Sequence, residues 1–464
     1  MTTRLALAPV ETLREFVVPG PRYTSYPPAT RFTPAFGADA AGAEFDRLRA
    51  EDPDAPISLY SHVPFCSSLC WYCGCNVVAT KDRARGTSYL DLVIDELRMV
   101  AERIGRRPIA ELALGGGSPN FLRAPDLERL VAAVDATFDR TDDAVFGVEL
   151  DPRDTPTETV AALAAVGFRR LSVGIQDFST EVQRRIHRHQ SEESTRQLIE
   201  EARRQGFTAI NGDLVYGLPG QTPETFAATL DAVISMQPEQ VALFGYAHLP
   251  DRIPHQKLVE RDGPVPGLRE RAKLLEVALH KFDAAGYQKI GLDHFARPDA
   301  PLAAAAREGT LHRNFQGYVV KKADYLIAVG ATGISDTGRA YWQNAPLADW
   351  EEKVRRGQLP VVRGVRLTDD DILRRHVITR LMCEGELDFA AVEAQFPIRF
   401  DDYFTGELTA FDEPDAARLA AVDRRARRIE ATDLGRHLIR NVCMIFDPHL
   451  DGPGGDRARF SRTL

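Results

Sequence analysis

Four cysteines fall within ten residues of this chain, Cys66, Cys70, Cys73 and Cys75, in the segment LYSHVPFCSSLCWYCGCN. Their spacing is CxxxCxxC, then one residue, then the fourth cysteine. Three thiolates on one short loop can grip three irons of a 4Fe–4S cube and leave the fourth iron without a protein ligand. Ordinary ferredoxin clusters use four cysteines and have no such vacancy. An open iron can be chelated directly by a substrate or cosubstrate. The rival reading is structural zinc, which pairs two CxxC knuckles, or cysteines with histidines, across a longer loop. No second pair follows here. Cys383 and Cys443 stand alone in apolar contexts and read as small buried hydrophobes. The spacing favours iron–sulfur over zinc or unligated thiols, with Cys66, Cys70 and Cys73 as ligands. Cys75 reads as a neighbouring thiol with its own role; a fourth ligand is the alternative. Tyr72, between two ligands, either shields the metal or only packs the loop.

Elements to position this loop are legible around it. From Pro56 onward, short β-branched runs alternate with helical patterns. The expected strands cover 57–62, 111–114, 145–150, 170–175, 209–215, 241–246 and 289–292. In SYLDLVIDELRMVAERIG, Leu90, Val93, Ile94, Leu97 and Ile104 recur at helical spacing after a Ser88-x-x-Asp91 capping signature. Strand–helix alternation implies parallel strands with helical crossovers. Six or seven such units suit a full or partial β/α barrel, an α/β fold, with a doubly wound sheet as the alternative. Polar groups close successive strands: Gly115, Gly116, Gly117 and Ser118; Glu149 and Asp151; Gln176 and Asp177; Asp213; Tyr246 and His248; Asp293 and His294. Barrel enzymes keep their chemistry at that end of the strands, so this succession predicts a site.

The chain divides into an extended N-terminal arm (1–55, one short helix near 42–50), the barrel (56–360) and a small C-terminal α+β, winged-helix-like domain (361–464). Thr368-x-x-Asp371 is a second capping signature, and DRRARRIEATDLGRHLIRN reads as a strand or hairpin followed by a helix. The basic run Arg424, Arg425, Arg427 and Arg428 reads as a solvated face. Of the 464 residues, 44% are hydrophobic and 27% charged, ordinary globular values, and the formal charge of -9 argues against a nucleic-acid binder. No stretch reaches the roughly 18 to 20 apolar residues of a membrane span, and the N-terminus has no signal-peptide pattern. These features predict a cytoplasmic chain. Nothing resembles a coiled coil, so a monomer is expected.

A CxxxCxxC loop after one strand and a Gly-rich turn after the next resemble the radical S-adenosylmethionine superfamily. The likeness narrows further. PRYTSYPPATRF, SHVPFCSSLCWYCGCN, LGGGSPNFL, VELDPRD, LSVGIQDF, NGDLVYGLPGQT, YAHLP, GLDHFARPDA and LHRNFQGY resemble the oxygen-independent coproporphyrinogen III oxidase family, from about Arg22 to Asp447. The fourth cysteine and the HRNFQGY segment are features the related heme-chaperone branch typically lacks. Ser118 stands where that family usually has Thr, and Tyr72 where Phe is common.

The resemblance implies a 4Fe–4S cluster, S-adenosylmethionine as radical source (two per turnover), and conversion of two propionates of coproporphyrinogen III to vinyl groups, giving protoporphyrinogen IX. It also implies a low-potential electron donor and an electron acceptor. Tyr60, Gly116, Gly117, Ser118, Glu149, Gln176, Arg188 and Asp213 match positions holding S-adenosylmethionine, with Tyr72 a candidate on adenine; Ala247 and Ile334 match contacts to a second molecule. Arg188 is expected on the methionyl carboxylate, and the glycine turn is expected to offer it N–H groups. Tyr26 and Cys75 are expected at the substrate side, and Arg22, Arg31, Arg297 and Arg313 are candidates for the propionates. A radical methyltransferase, a heme-opening relative and a heme chaperone are the alternatives within this chemistry; a zinc- and nucleic-acid-binding module lies outside it.

Overall fold

The computed structural model describes residues 7–320, 323–450 and 460–464. Among them a 12-stranded sheet forms the frame. In chain order its strands are β1 (Ile57–Val63), β2 (Pro108–Gly116), β3 (Asp139–Leu150), β4 (Phe168–Gln176), β5 (Ala209–Tyr216), β6 (Gln240–Gly245), β7 (Gln288–Lys289), β8 (His294–Ala296), β9 (Tyr325–Val329), β10 (Ile334–Asp336), β11 (Ala340–Asn344) and β12 (Val361–Arg366). The spatial order is β12-β11-β10-β9-β1-β2-β3-β4-β5-β6-β8-β7. β9 and β1 to β6 pair in parallel, the run that makes a partial β/α barrel. Both edges are finished by antiparallel strands.

Burial on both faces explains why the parallel strands read as apolar runs; in β1 every residue but Tyr60 is buried. The helix Ala84–Ile104 turns Leu90, Val93, Ile94, Leu97 and Ile104 into the core, as their spacing predicts. It starts earlier than expected. Ser88 and Asp91 lie inside it, and the Asp82 carboxylate accepts from the Ala84 N–H at 3.1 Å instead, an oxygen at the N-terminus doing the capping job.

The seventh expected strand is not a barrel strand. β7 is two residues long, the chain turns at Gly291, and β8 returns antiparallel to β6. A side chain at Gly291 would meet Tyr318 Cζ at 2.2 Å, so the turn packs against that ring without a Cβ. The parallel place beside β1 is taken by β9, the apolar run YLIAV, which the expected set omitted.

At the C-terminal side, β12 belongs to the sheet, so the residues from 361 to 366 lie in the barrel frame rather than beyond it. The second core gathers on the helix Asp369–Glu384. Its cap is as expected: the Asp371 N–H donates to Thr368 Oγ1 at 3.1 Å, and the Thr368 N–H to Asp371 Oδ2 at 2.9 Å. Ala420–Asp423 and Arg428–Ala431 form the expected hairpin, with Glu386–Asp388 as third strand. Two short helices, Asp433–His437 and Ile439–Met444, follow.

The N-terminal segment is a strap between two cores rather than a free arm. Leu13, Phe16, Tyr23 and Tyr26 pack into the C-terminal core, while Ala41, Phe45 and Leu48 of the helix Ala38–Glu51 pack on the barrel. One further element reaches the barrel interior. Leu311–Asn314 and Gly317–Val320 form a hairpin whose tip, Phe315 and Gln316, lines the chamber described next.

Candidate active site

The cysteine loop leaves the C-terminal end of β1 and is held by partners far along the chain. The Trp71 N–H donates to the Ile186 carbonyl at 2.9 Å. His187 Nδ1 donates to the Leu69 carbonyl at 2.9 Å, and its ring stacks on Trp71 at 5.1 Å. Gln256 Nε2 donates to the Tyr72 carbonyl at 2.9 Å and His255 Nε2 to the Cys73 carbonyl at 2.8 Å. Four anchors on so short a loop fix its shape before any metal arrives, which lowers the ordering entropy of binding one.

The three thiols face a shared space. Burial, then the neighbouring Cys73 and Cys70, push the Cys66 thiol up to about 12. Cys70 Sγ receives Arg188 Nη1 and Arg153 Nη2, each at 3.5 Å. Both arginines are tied down by Asp151: Arg153 Nη2 at 2.6 Å, Arg188 Nη1 and Nη2 at 3.2 Å. Two guanidinium groups beside one sulfur suit a thiolate-ligated, anionic group. A cube gives each thiolate its own iron, which three cysteines on one anchored loop can serve. Cys75 sits at the same rim: its N–H donates to Cys73 Sγ at 3.4 Å. Its thiol, hydrogen-bonded to Cys73, is held in the protonated form and lowers that of Cys73.

The glycine turn closes on this loop from β2. The Gly117 N–H donates to the Val63 carbonyl and the Ser118 N–H to the Phe65 carbonyl, both at 2.8 Å. The Gly116 N–H donates to Glu149 Oε2 at 3.3 Å. These N–H groups are met within the protein in this structure. The glycines also serve close approach: a Cβ on Gly117 would lie 2.7 Å from the Phe65 carbonyl oxygen, and one on Gly115 2.7 Å from Glu149 Oε2. Arg188 is held within the protein in the same way. Its Nε donates to Gln190 at 2.9 Å and its Nη2 to the Gly174 carbonyl at 2.6 Å. With Cys70 and Asp151 this accounts for all five donors.

Below the loop lies a chamber of about 320 Å³ lined by Glu149, Asp213, Phe244 and the hairpin tip. Glu149 is open to the chamber yet walled in on every side. That enclosure, then the charge of Asp213, push its carboxyl up to about 7. Burial pushes Asp213 up to about 6, against hydrogen bonds from Ser172 and Asn211, each 2.7 Å long. Two facing carboxyls that are hard to ionise together suit a cationic or hydroxyl-rich ligand. Tyr60 Oη donates to His62 Nδ1 at 3.3 Å, close to the same turn. Gln176 has φ +66 at a break in the β4–β5 register. A non-glycine residue in that region is uncommon; it sets the Gln176 amide beside Arg188, as the contacts of Gly174 show.

Other expected residues lie elsewhere. Asp177 turns into the core, accepting from Ser179 N–H at 2.6 Å and Gln221 Nε2 at 2.8 Å. Tyr72, on the cysteine loop, packs against the apolar cluster that holds Val182, Ile186 and Tyr246, with Arg188 and Cys70 acting on its hydroxyl. Ala247 lines a second cavity behind β6, and Ile334 packs beside Phe315 and Tyr341. Tyr26 is buried in the C-terminal core with its ring 5.6 Å from His449, facing a separate cavity of about 1100 Å³ rather than the cysteines. Of the four candidate arginines, Arg22 and Arg313 converge on Asp293 Oδ2 at 3.1 and 3.7 Å. Arg297 instead pairs with Asp299 at 2.8 Å on the surface, and Arg31 sits on the short turn Ala29–Arg31. Sequence reasoning missed Arg153, His255, Gln256, Arg271, Lys289 and Arg440. Arg153 lay within the quoted VELDPRD segment and Lys289 within the expected strand 289–292; no motif marked the others.

Residues 60–233 match the family model described as Radical SAM superfamily, a span that includes the cysteine loop, Glu149 and Asp213. The chain is 41% identical to the oxygen-independent coproporphyrinogen III oxidase of Pseudomonas aeruginosa, over 98% of each protein. It is 42% identical to that of Salmonella typhimurium over 94% of each. The solved coproporphyrinogen III oxidase from Escherichia coli, titled a radical SAM enzyme, superposes with a TM-score of 0.89 at 38% identity, covering 97% of this chain and all of that one. The chain belongs to the oxygen-independent coproporphyrinogen III oxidase family.

Proposed function

We propose that the chain decarboxylates two propionates of coproporphyrinogen III to vinyl groups without oxygen, giving protoporphyrinogen IX. The observation that carries the reading is one loop bearing Cys66, Cys70 and Cys73, pinned at four points and set under Arg188 and Arg153, in a chain alike to these oxidases over nearly its whole length. When bound, the 4Fe–4S cluster supplies the electron that cleaves S-adenosylmethionine, and so a radical able to take hydrogen from a propionate β-carbon. The chain's own residues do the rest by positioning and by excluding water.

In this reading Cys66, Cys70 and Cys73 hold the cluster, with Arg188 and Arg153 offsetting its negative charge. Glu149 and Asp213, with Tyr60, Gln176 and the Gly116–Ser118 turn, frame the S-adenosylmethionine chamber. Cys75, protonated beside Cys73, is the sulfur group nearest the substrate side. Ala247 and Ile334 keep their proposed place against a second S-adenosylmethionine, and Tyr26 its proposed place at the substrate side. An external low-potential donor and an electron acceptor complete the cycle, and the chain works as a cytoplasmic monomer. Among the described residues no helix is long and apolar enough to cross a membrane.

Anaerobic turnover with dithionite, S-adenosylmethionine and coproporphyrinogen III, followed by mass spectrometry, tests this. The expected product has lost two carbon dioxide units and carries two vinyl groups. Recovery of unchanged or methylated tetrapyrrole from iron-replete protein refutes it.

A further inference from the structure

Six cations, Arg22, Arg271, Lys289, Arg313, Arg440 and Arg462, crowd the region where β6 meets β8, and among the described residues Asp293 is the one side-chain carboxylate lining the cavity there. Arg22 Nη1 meets Asp293 Oδ2 at 3.1 Å, and Arg313 Nη2 lies 3.7 Å from the same oxygen. Arg271, Lys289 and Arg440 join Arg22 in lining a cavity of about 390 Å³ between β6 and the C-terminal segment. Their other partners are mostly neutral. Arg22 Nη2 donates to the Gly245 carbonyl at 3.2 Å, Arg271 Nη1 to the Tyr246 carbonyl at 2.8 Å, and Arg440 Nη1 to the Gly20 carbonyl at 3.0 Å. Lys289 Nζ donates to His437 Nδ1 at 3.0 Å.

One donor is left over on the cavity wall. Among the described residues Arg440 Nε is buried with no hydrogen-bond partner, and the side chain is at least nine-tenths buried. Burial and the mutual repulsion of these cations push Arg440 down, and burial pushes Lys289 down to about 8. Burying unpaired charge is costly, and an unsatisfied buried donor adds to it. A cluster this short of anions is the empty half of an ion pair.

We propose that this cavity is a carboxylate-binding subsite that takes one propionate arm of the tetrapyrrole, gripped by Arg271 and Arg440. The inference rests on the proposed function. The rest of the lining suits the methylene stem: Leu243, Leu275, Leu279, Leu292 and Phe295 supply an apolar wall. β6 is the partition between cavity and chamber, because Phe244 lines the chamber while Leu243 and Gly245 line the cavity. Arg22 bridges the two, its guanidinium 5.9 Å from the Phe244 ring centre. At about 390 Å³ the cavity takes an arm and not the macrocycle, so the reacting arm stays on the cluster side. The anchored arm is one that is not decarboxylated.

The test uses iron-replete, anaerobic protein and coproporphyrin III, the stable oxidised tetracarboxylate, as titrant. Arg271→Gln should raise its Kd, and the KM for coproporphyrinogen III, about tenfold or more. Arg271→Lys should recover much of that loss, since it restores the charge without the fork. Arg440→Gln repeats the measurement from the other wall. Iron content and S-adenosylmethionine affinity, read on the same samples, separate a lost anchor from a damaged cluster site. Unchanged porphyrin affinity in both Gln variants overturns the proposal. So does a selective loss of S-adenosylmethionine affinity, which would make the bound carboxylate the cosubstrate's. Wild-type protein that binds no coproporphyrin overturns the proposed function, and this subsite with it.

Discussion

Arg188, above the cysteine loop, and Arg440, behind β6, are both buried arginines, and their surroundings are built in opposite ways. All five donors of Arg188 have partners, and its charge is matched by Asp151 and the Cys70 sulfur. Arg440 has backbone carbonyls for two nitrogens, nothing for the third, and other arginines for neighbours. A saturated shell suits a group that is installed once and stays. Spare donors in a cationic field suit a ligand that arrives, binds and leaves, because the unmet hydrogen-bonding capacity becomes binding energy. The two regions thus divide the work between a resident cluster and a passing polycarboxylate.

The sharpest way to break this division is to attack the saturated side. Cys70→Ser is expected to abolish both stable iron binding and turnover, since the alcohol stays protonated where a thiolate is required. Anaerobic absorbance and iron analysis read it directly. Arg188→Lys comes next. One ammonium cannot reach Cys70, Asp151, Gly174 and Gln190 together, so cluster retention should fall on the order of 10–100-fold, the usual effect of losing a group that orients a metal ligand. Its porphyrin affinity, measured on molecules that keep iron, should match wild type. Iron retention unchanged in Arg188→Lys would mean the saturated shell is incidental.

The two sides also differed in how far the sequence revealed them. The cysteine loop, the glycine turn, Glu149 and Asp213 lie at strand ends, where hydrophobic periodicity stops and a polar residue is conspicuous. The cationic cavity has no such signature. Arg271 sits on the helix Leu268–Ala284, where a basic residue reads as solvated, and Arg440 on the short helix Ile439–Met444. They meet Arg22 only because two cores and the N-terminal strap fold together, a long-range event with no local trace. The partners of Arg188 and the glycine N–H groups were hidden for a related reason: residue type announces a donor, but only the fold shows which acceptor holds it. The six central parallel strands were legible from their apolar runs, whereas β9 and the antiparallel edges were not, since short runs there carry little periodic signal.

A smaller effect sharpens the picture of the unsaturated side. Lys289 faces His437 at 3.0 Å, with Asp293 and Arg436 also acting on it, and burial brings its ammonium down to about 8. Below that pH it adds a positive charge to the cavity; above it the charge is gone. Coproporphyrin affinity should therefore fall as pH rises from about 7 to about 9, by roughly threefold to tenfold for one charge in a partly screened site. Lys289→Met should flatten that step and bind at all pH values as wild type does at the high end. A wild-type affinity that is level across this interval would mean that Lys289 does not act on the bound carboxylate.

The smallest expected effect belongs to the basic run of the C-terminal hairpin, and it is a control on charge itself. Arg424 pairs with Asp412 at 2.5 Å, both of them exposed, and Arg427 with Glu393 at 2.7 Å and Asp401 at 2.6 Å. Exposed pairs of this kind contribute less than about 1 kcal/mol, and their charge is already met by neighbouring carboxylates. Arg424→Ala should change unfolding free energy by under about 0.5 kcal/mol and leave porphyrin affinity where it was. If it weakened coproporphyrin binding as much as Arg271→Gln, any surface cation would serve the ligand equally, and the contrast between spent and spare arginines would lose its meaning. An unchanged affinity instead ties binding to the cations behind β6, because Arg424 carries the same charge at an exposed site where a carboxylate already meets it.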